Sequence, residues 1–433
     1  MITLAPGNGP LRFAPLQSAT IRPKTQNCDI QRVCESCQYV NLDYADNLKQ
    51  KFDSSLKILA DKGLLNRTKI LPPQPSERNF DYRATLKLAV RQTLDKPLRM
   101  GLFHPGTHVV VDITSCPLHV KALQELLKRL VPLLEAAGKE GILKAWNEQK
   151  NEGDLRYVVA RASPATDEIQ ITFVVSDLEK KLFFRDLVRD LRAHGLKLVS
   201  AFLNLNTSTG NDIFGEQFLR LAGQDQLRVS LNDFLFGAGP GTFLQVNPWQ
   251  ASRIYNRIAQ FGGRAERGEV AWDLYCGMGP ITLSLARQHF RVWGVEENPH
   301  AIADANANAS RNDFNPAQLS FQAGLIENEL ATVPLWAENP TLVVVNPSRR
   351  GLAENVRMKL HTMLGSSSRL QHVLYLSCEM KTLARDLAFL LASGARLSQI
   401  EAFDMFPHTD KLEWLAVLTP VQQLGKDKPW KPN

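Results

Sequence analysis

The chain has 433 residues, 44% of them hydrophobic and 22% charged, with a formal net charge of +7. That length can bury two or three cores without covalent staples, and the composition excludes a disordered, collagen-like or disulfide-framework protein. The N-terminal stretch MITLAPGNGPLRF lacks a basic segment followed by an apolar core, and no apolar run approaches the length of a membrane span. No secretory signal is therefore expected, and the cytoplasm is the default compartment. The modest basic excess suits a polyanionic partner without requiring one.

Residues 1–27, rich in Pro, Gly, Thr and Gln, read as a surface arm. Cys28, Cys34 and Cys37 follow at once with the spacing C-x5-C-x2-C, and Cys116 lies far downstream in DITSCPLH. A helix is predicted over 45–65, strands near 82–90 and 108–113, and an amphipathic helix from His119 to Ala137 with leucines at helical spacing. Strands at 157–162, 169–175 and 196–204 flank a helix from Asp177 to Ala193. Residues 28–239 thus read as an α+β domain carrying a four-cysteine site.

From about residue 240 the pattern becomes strict strand–helix alternation. Strands are predicted at 269–274, 290–295, 341–345, 371–376, 396–402 and 412–418, and helices at 249–261, 280–288, 299–311, 352–364 and 380–391. This alternation predicts an α/β fold, a doubly wound Rossmann-like sheet over 240–421, with ligands at the carboxyl ends of its strands. The last two strands lack a helix between them and are expected as an antiparallel edge pair. Residues 422–433 read as a disordered tail.

Four segments of this half carry chemistry. In WDLYCGMGP, Gly277 and Gly279 stand at the first strand-to-helix turn, where glycine lets the backbone approach a cofactor. Glu296 ends the next strand, placed to accept hydrogen bonds from ribose hydroxyls, with Glu297 an equal candidate. No P-loop lysine is present, so the pattern points to S-adenosylmethionine or another nucleoside cofactor. At the end of a later strand Asn346-Pro347 offers an amide on a stiff backbone, and Arg349 and Arg350 suit phosphate contacts. Cys378 sits between an apolar strand and a helix, where free N–H groups favour a thiolate. A buried structural cysteine is the alternative there. Glu413, in DMFPHTDKLEW, opens the last strand.

Taken in order, the cysteine spacing, FLQVNP, DLYCGMG, NPSRRG, SCEMKTLARDL and DMFPHTDKLE resemble the RNA uracil-C5 (5-methyluridine) methyltransferase family from about Cys28 to Leu418. Without a barrel-like domain before Cys28, the chain is most similar to the shorter 23S ribosomal RNA enzymes that lack a TRAM domain. The resemblance implies Cys378 as nucleophile and Glu413 as general base. It implies Gln245, Tyr275, Glu296 and Asn346 as S-adenosylmethionine contacts beside the Gly277 turn, and a [4Fe-4S] cluster on Cys28, Cys34, Cys37 and Cys116. RNA, 23S ribosomal RNA in particular, is the implied partner; no membrane and no obligate protein partner are implied. Cys276 receives no catalytic role.

The chain departs from the family pattern at two places. Ser348 stands where members usually carry a second proline, and Glu379 where they carry asparagine. An ionised Glu379 turned towards Cys378 would raise the thiol pKa. Two other functions stay open at this point: an RNA-binding descendant inactivated by Glu379, and an exocyclic-amine methyltransferase using Asn346-Pro347. Only thiolate addition to the pyrimidine separates the family reading from both.

Overall fold

The computed structural model describes residues 28–424 except 94, 211 and 267, so the predicted arm and most of the tail lie outside the described residues. In chain order the early elements are α1 (Gln31–Cys34), α2 (Tyr44–Asp61) and β1 (Lys69–Ile70). Then come β2 (Thr85–Arg91), β3 (Arg99–Phe103), β4 (Val110–Asp112), α3 (Lys121–Lys139), β5 (Leu155–Ser163) and β6 (Glu168–Val175). The half closes with α4 (Lys181–Ala193), β7 (Leu198–Leu205), β8 (Gln217–Gly223), β9 (Leu227–Leu231) and β10 (Phe234–Ala238).

Seven of these strands form one sheet in the order β4-β3-β2-β5-β6-β7-β8, antiparallel except for the β6–β7 pair that α4 bridges. Along β2 the side chains alternate. Leu86, Leu88 and Val90 enter the core shared with α3 and α4, which leaves Thr85, Lys87 and Ala89 on the other face. The β9–β10 hairpin stands apart as a two-stranded sheet.

The second half contains α5 (Pro248–Gly262), β11 (Val270–Leu274), α6 (Pro280–Arg287), β12 (Arg291–Glu296), α7 (Pro299–Arg311), β13 (Leu319–Ala323) and the short α8 (Ile326–Glu329). It continues with β14 (Leu342–Val345), α9 (Glu354–Ser366), β15 (His372–Ser377), α10 (Met380–Leu391), β16 (Arg396–Phe403) and β17 (Glu413–Thr419). Its strands read as continuous apolar runs because both sheet faces are covered. Val343, Val345, Val373 and Tyr375 face a core shared with α2, α9 and α10, while Val344, Leu374 and Leu376 face one shared with α5 and α6. Helix starts follow local chemistry. Asn247 and Asn298 cap α5 and α7 by accepting from the backbone, and a proline follows each cap. Pro280, next after the glycines of its turn, occupies the same first helical position in α6.

The strand order is β1-β16-β17-β15-β14-β11-β12-β13. The two late strands do pair antiparallel, but not at an edge: β17 lies between β15 and β16. The edge is β1, from the first part of the chain, paired parallel to β16 through Lys69↔Gln399 and Ile70↔Ile400. Helix α2 accompanies it, and its Lys51 is fully buried against Asp404 at 2.6 Å, with Phe406 and Thr409 carbonyls accepting as well. Tyr44 donates to the same Asp404 carboxylate, and Tyr82 donates to the Pro407 carbonyl. The loop between β16 and β17 is thus held by residues 325 to 360 positions upstream.

Candidate active site

The sheet reverses its winding between β11 and β14, and the carboxyl ends of these two strands open a crevice, the usual ligand position of doubly wound sheets. The turn after β11 is tight. Tyr275, Gly277 and Gly279 all have positive φ, at 67°, 56° and 89°, which needs glycine twice and strains Tyr275. Glu296 closes this turn, its carboxylate accepting from the Gly277 amide at 3.2 Å and the Asn298 amide at 3.0 Å. Burial raises its pKa. Neighbouring Glu297 is exposed. Gln245, Tyr275, Gly277 and Asn346 line a single cleft, so the structure brings together the residues expected around a nucleoside, with Glu296 one hydrogen bond behind them. Buried Cys276 shares the turn, its thiol held far from ionisation by burial first and then by Asp273 and Glu296.

Cys378 and Glu413 come together through strand register. The β15–β17 ladder ends with Ser377 opposite Trp414, so Cys378 and Glu413 follow one step beyond that pair on neighbouring strands, where the carboxylate acts on the thiol. Glu413 is buried, and desolvation lifts its carboxyl to about 8, with Arg349 pulling the other way. Burial also raises the Cys378 thiol. Glu413 adds to that, while the charge and hydrogen bond of Arg349 oppose it. Tyr255, which lines the same cleft as Gln245 and Tyr275, feels Glu413 as well, so the cleft and the Cys378–Glu413 pair adjoin.

Two side chains near Cys378 take positions that the sequence left open. Glu379 does not turn on Cys378: its side chain caps α10 by accepting from the Lys381 amide and pairs with Lys411 at 3.1 Å. The acid that faces the thiol is Glu413. Arg349, expected at phosphates, also acts on the Cys378 thiol by charge and hydrogen bond. Sequence reasoning missed both the Arg349 and the Lys411 partnerships. Their one signal was position, each lying within a motif that also carries a site residue.

Cys28, Cys34, Cys37 and Cys116 line one cavity of about 320 Å³ beneath the 243–246 segment. Burial raises the thiols of Cys28, Cys37 and Cys116, and Arg83 lowers the last two. Among the described residues, no three His, Cys, Asp or Glu side chains are grouped to hold a metal ion. The expected cluster therefore finds a cysteine-lined cavity but not an assembled ligand set. No described helix is long and apolar enough to cross a membrane.

Comparison with known proteins places this geometry. An RNA methyltransferase of Bacillus anthracis is 31% identical over 400 residues, covering 90% of this chain and 82% of its own. One from Streptococcus agalactiae is 31% identical over 415 residues, covering 93% and 86%. Both are uncharacterised. The crystal structure of Pyrococcus abyssi tRNA (uracil-54, C5)-methyltransferase with S-adenosyl-L-homocysteine matches with a TM-score of 0.67 at 26% identity, covering 93% of this chain and 87% of that one. The protein is an S-adenosylmethionine-dependent RNA methyltransferase. The profile of the tRNA (uracil-5-)-methyltransferase family matches residues 208–420, and the chain belongs to that RNA uracil-5-methyltransferase family.

Proposed function

We propose that the protein methylates C5 of a uracil in RNA through a covalent adduct on Cys378, with Glu413 as the base. The observation that carries this is a thiol and a buried carboxylate brought side by side at the end of the β15–β17 ladder, with one guanidinium acting on both. S-adenosylmethionine supplies an electrophilic methyl group, and C5 of uracil is too weak a nucleophile to take it unaided. The Cys378 thiolate adds to C6, pushing the ring electrons to C5 as an enolate. C5 then takes the methyl group in line while the sulfonium becomes a thioether. Glu413 removes the C5 proton, the ring double bond re-forms, and the C6–sulfur bond breaks. Arg349 favours both anions that this sequence needs. A paired target base has to be flipped out first.

Gln245, Tyr275, Gly277, Glu296 and Asn346 are the proposed cofactor contacts, supported by their convergence on one cleft. The division of labour is proposed as well: residues 28–239 engage RNA and the cluster, and 240–421 perform methyl transfer, with α2 and β1 completing the latter's sheet. The four cysteines are proposed to hold a [4Fe-4S] cluster. A single tetrahedral zinc would draw the sulfurs to about 3.8 Å of one another, whereas an open cysteine-lined cavity suits a larger group.

The sequence pattern supports 23S ribosomal RNA as substrate. The Pyrococcus relative acts on uracil 54 of tRNA, which makes tRNA the second reading. Incubating the protein with 5-fluorouracil-substituted transcripts of each RNA tests both points. A denaturant-stable adduct that is lost in Cys378→Ala is expected with one of them. No adduct with either overturns the covalent mechanism.

A further inference from the structure

Three cavities on the first sheet join end to end. The cofactor cleft and the cysteine cavity share Thr85, Phe243 and Leu244, and the cysteine cavity shares Lys87 and Leu102 with a third, of about 390 Å³. Thr85, Lys87 and Ala89 of β2 run along all three over about 13 Å, with Leu86 and Leu88 also lining the cysteine cavity, and of the five only Lys87 is exposed. At its far end Phe103 and Tyr157, both half-buried, hold the Arg91 guanidinium between them, with ring centroids 5.1 and 5.2 Å from its carbon. The acid there, Glu148, is already engaged by Arg91 and by His108.

Lys87 is the unmatched charge in this arrangement. It is exposed on the trough floor, yet crowded by protein, and its nearest charged influence is another cation, Arg161. Arg161 itself donates only to the carbonyls of Pro240 and Thr242. Among the described residues no carboxylate pairs with Lys87. A lone ammonium kept beside a second cation in a concave surface calls for an anion from outside, and an aromatic–guanidinium shelf at one end calls for planar groups. A single RNA strand offers both at regular spacing.

We propose that the end of this trough beyond the cysteines, the third cavity, carries the RNA strand flanking the target nucleotide, with Lys87 on a backbone phosphate and the Phe103–Arg91–Tyr157 shelf under a base. The proposal rests on RNA being the substrate and extends that reading to a surface of the first sheet. A cluster's counter-ion is the rival role for Lys87. Arg83 already fills it, since its charge acts on Cys37 and Cys116.

The test uses full-length protein of measured iron content and a fluorescein-labelled 12-nucleotide oligouridylate. Lys87→Gln should weaken binding and reduce the slope of log affinity against log salt by about 0.7, one phosphate contact on a single strand. Lys87→Arg should restore both, and Lys128→Gln on α3 should change neither. Phe103→Leu and Tyr157→Leu should each weaken binding about fivefold or more. With cellular RNA as methyl acceptor, Lys87→Gln should raise KM and leave kcat and S-adenosylmethionine binding unchanged. An unchanged salt slope and KM would overturn the proposal, as would a shift of the cluster's reduction potential with RNA binding untouched. Wild-type protein that binds the oligonucleotide this way but forms no fluorouracil adduct would fail the covalent mechanism and leave the trough standing.

Discussion

Glu413 makes the folded protein's stability depend on pH in a direction opposite to that of an ordinary surface carboxylate. Its folded pKa is about 8 and an unfolded glutamate titrates near 4.5. Between those values the native state holds a proton that the unfolded state has released. Stability therefore falls as pH rises through this window; the contribution is fully present below about 4.5 and gone above about 8. The slope is about 1.4 kcal/mol per pH unit, and the whole span amounts to about 5 kcal/mol. Glu413→Gln has no such proton. Denaturant unfolding of both proteins from pH 5 to pH 9 should show the variant gaining on the wild type by about that slope, then levelling off near pH 8. A constant difference across the range would refute the buried, protonated carboxyl. The same proton bears on catalysis, since only about one molecule in ten carries an ionised Glu413 at pH 7 before RNA binds. Release of the methylated base should accordingly quicken towards pH 8.

Cys378→Ala should abolish methyl transfer with S-adenosylmethionine affinity intact by calorimetry; wild-type turnover would remove the nucleophile. Glu379→Asn should leave the pH dependence of Cys378 alkylation unchanged, because the native carboxylate faces Lys411 and the α10 amide, and a curve moved to lower pH would mean it reaches the thiol. Lys51→Met strands the buried Asp404 charge and should cost about 3–5 kcal/mol, read as a fall in thermal midpoint. Protein purified without oxygen should be brown and contain iron and acid-labile sulfide, whereas colourless protein with one zinc would exclude the cluster.

The second half of the fold was legible because its strands are buried on both faces and so spell unbroken apolar runs such as Val343–Val345, separated by capped helices. Strands with a wet face were not. β13, β3 and β8 mix polar or glycine positions into short half-exposed stretches, and the β9–β10 hairpin alternates arginine and serine with its apolar residues. β1 could not be read at all, since two residues become a strand only by pairing with β16. At the site the motifs named Cys378 and Glu413, but the directions of Glu379 and Arg349 depend on loops meeting in space. An acid next to a cysteine in sequence looked like its electrostatic neighbour; helix capping turned it away and strand pairing supplied another.

The long reach of α2 and β1 sets an order of events during synthesis. Ile70 leaves the ribosome 330 residues before its partner Ile400, a wait of about 15 to 65 s at ordinary elongation rates. Throughout that interval Lys51 has no Asp404 to neutralise it, and the apolar side of α2 has no sheet to cover it. The N-terminal segment is thus a late-docking piece of the catalytic half, closing over the β16–β17 loop only when the chain is nearly complete. A fragment beginning at residue 240 would lack that closure. It would carry a bare β16 edge, open to pairing with another chain, and a buried aspartate without its cation.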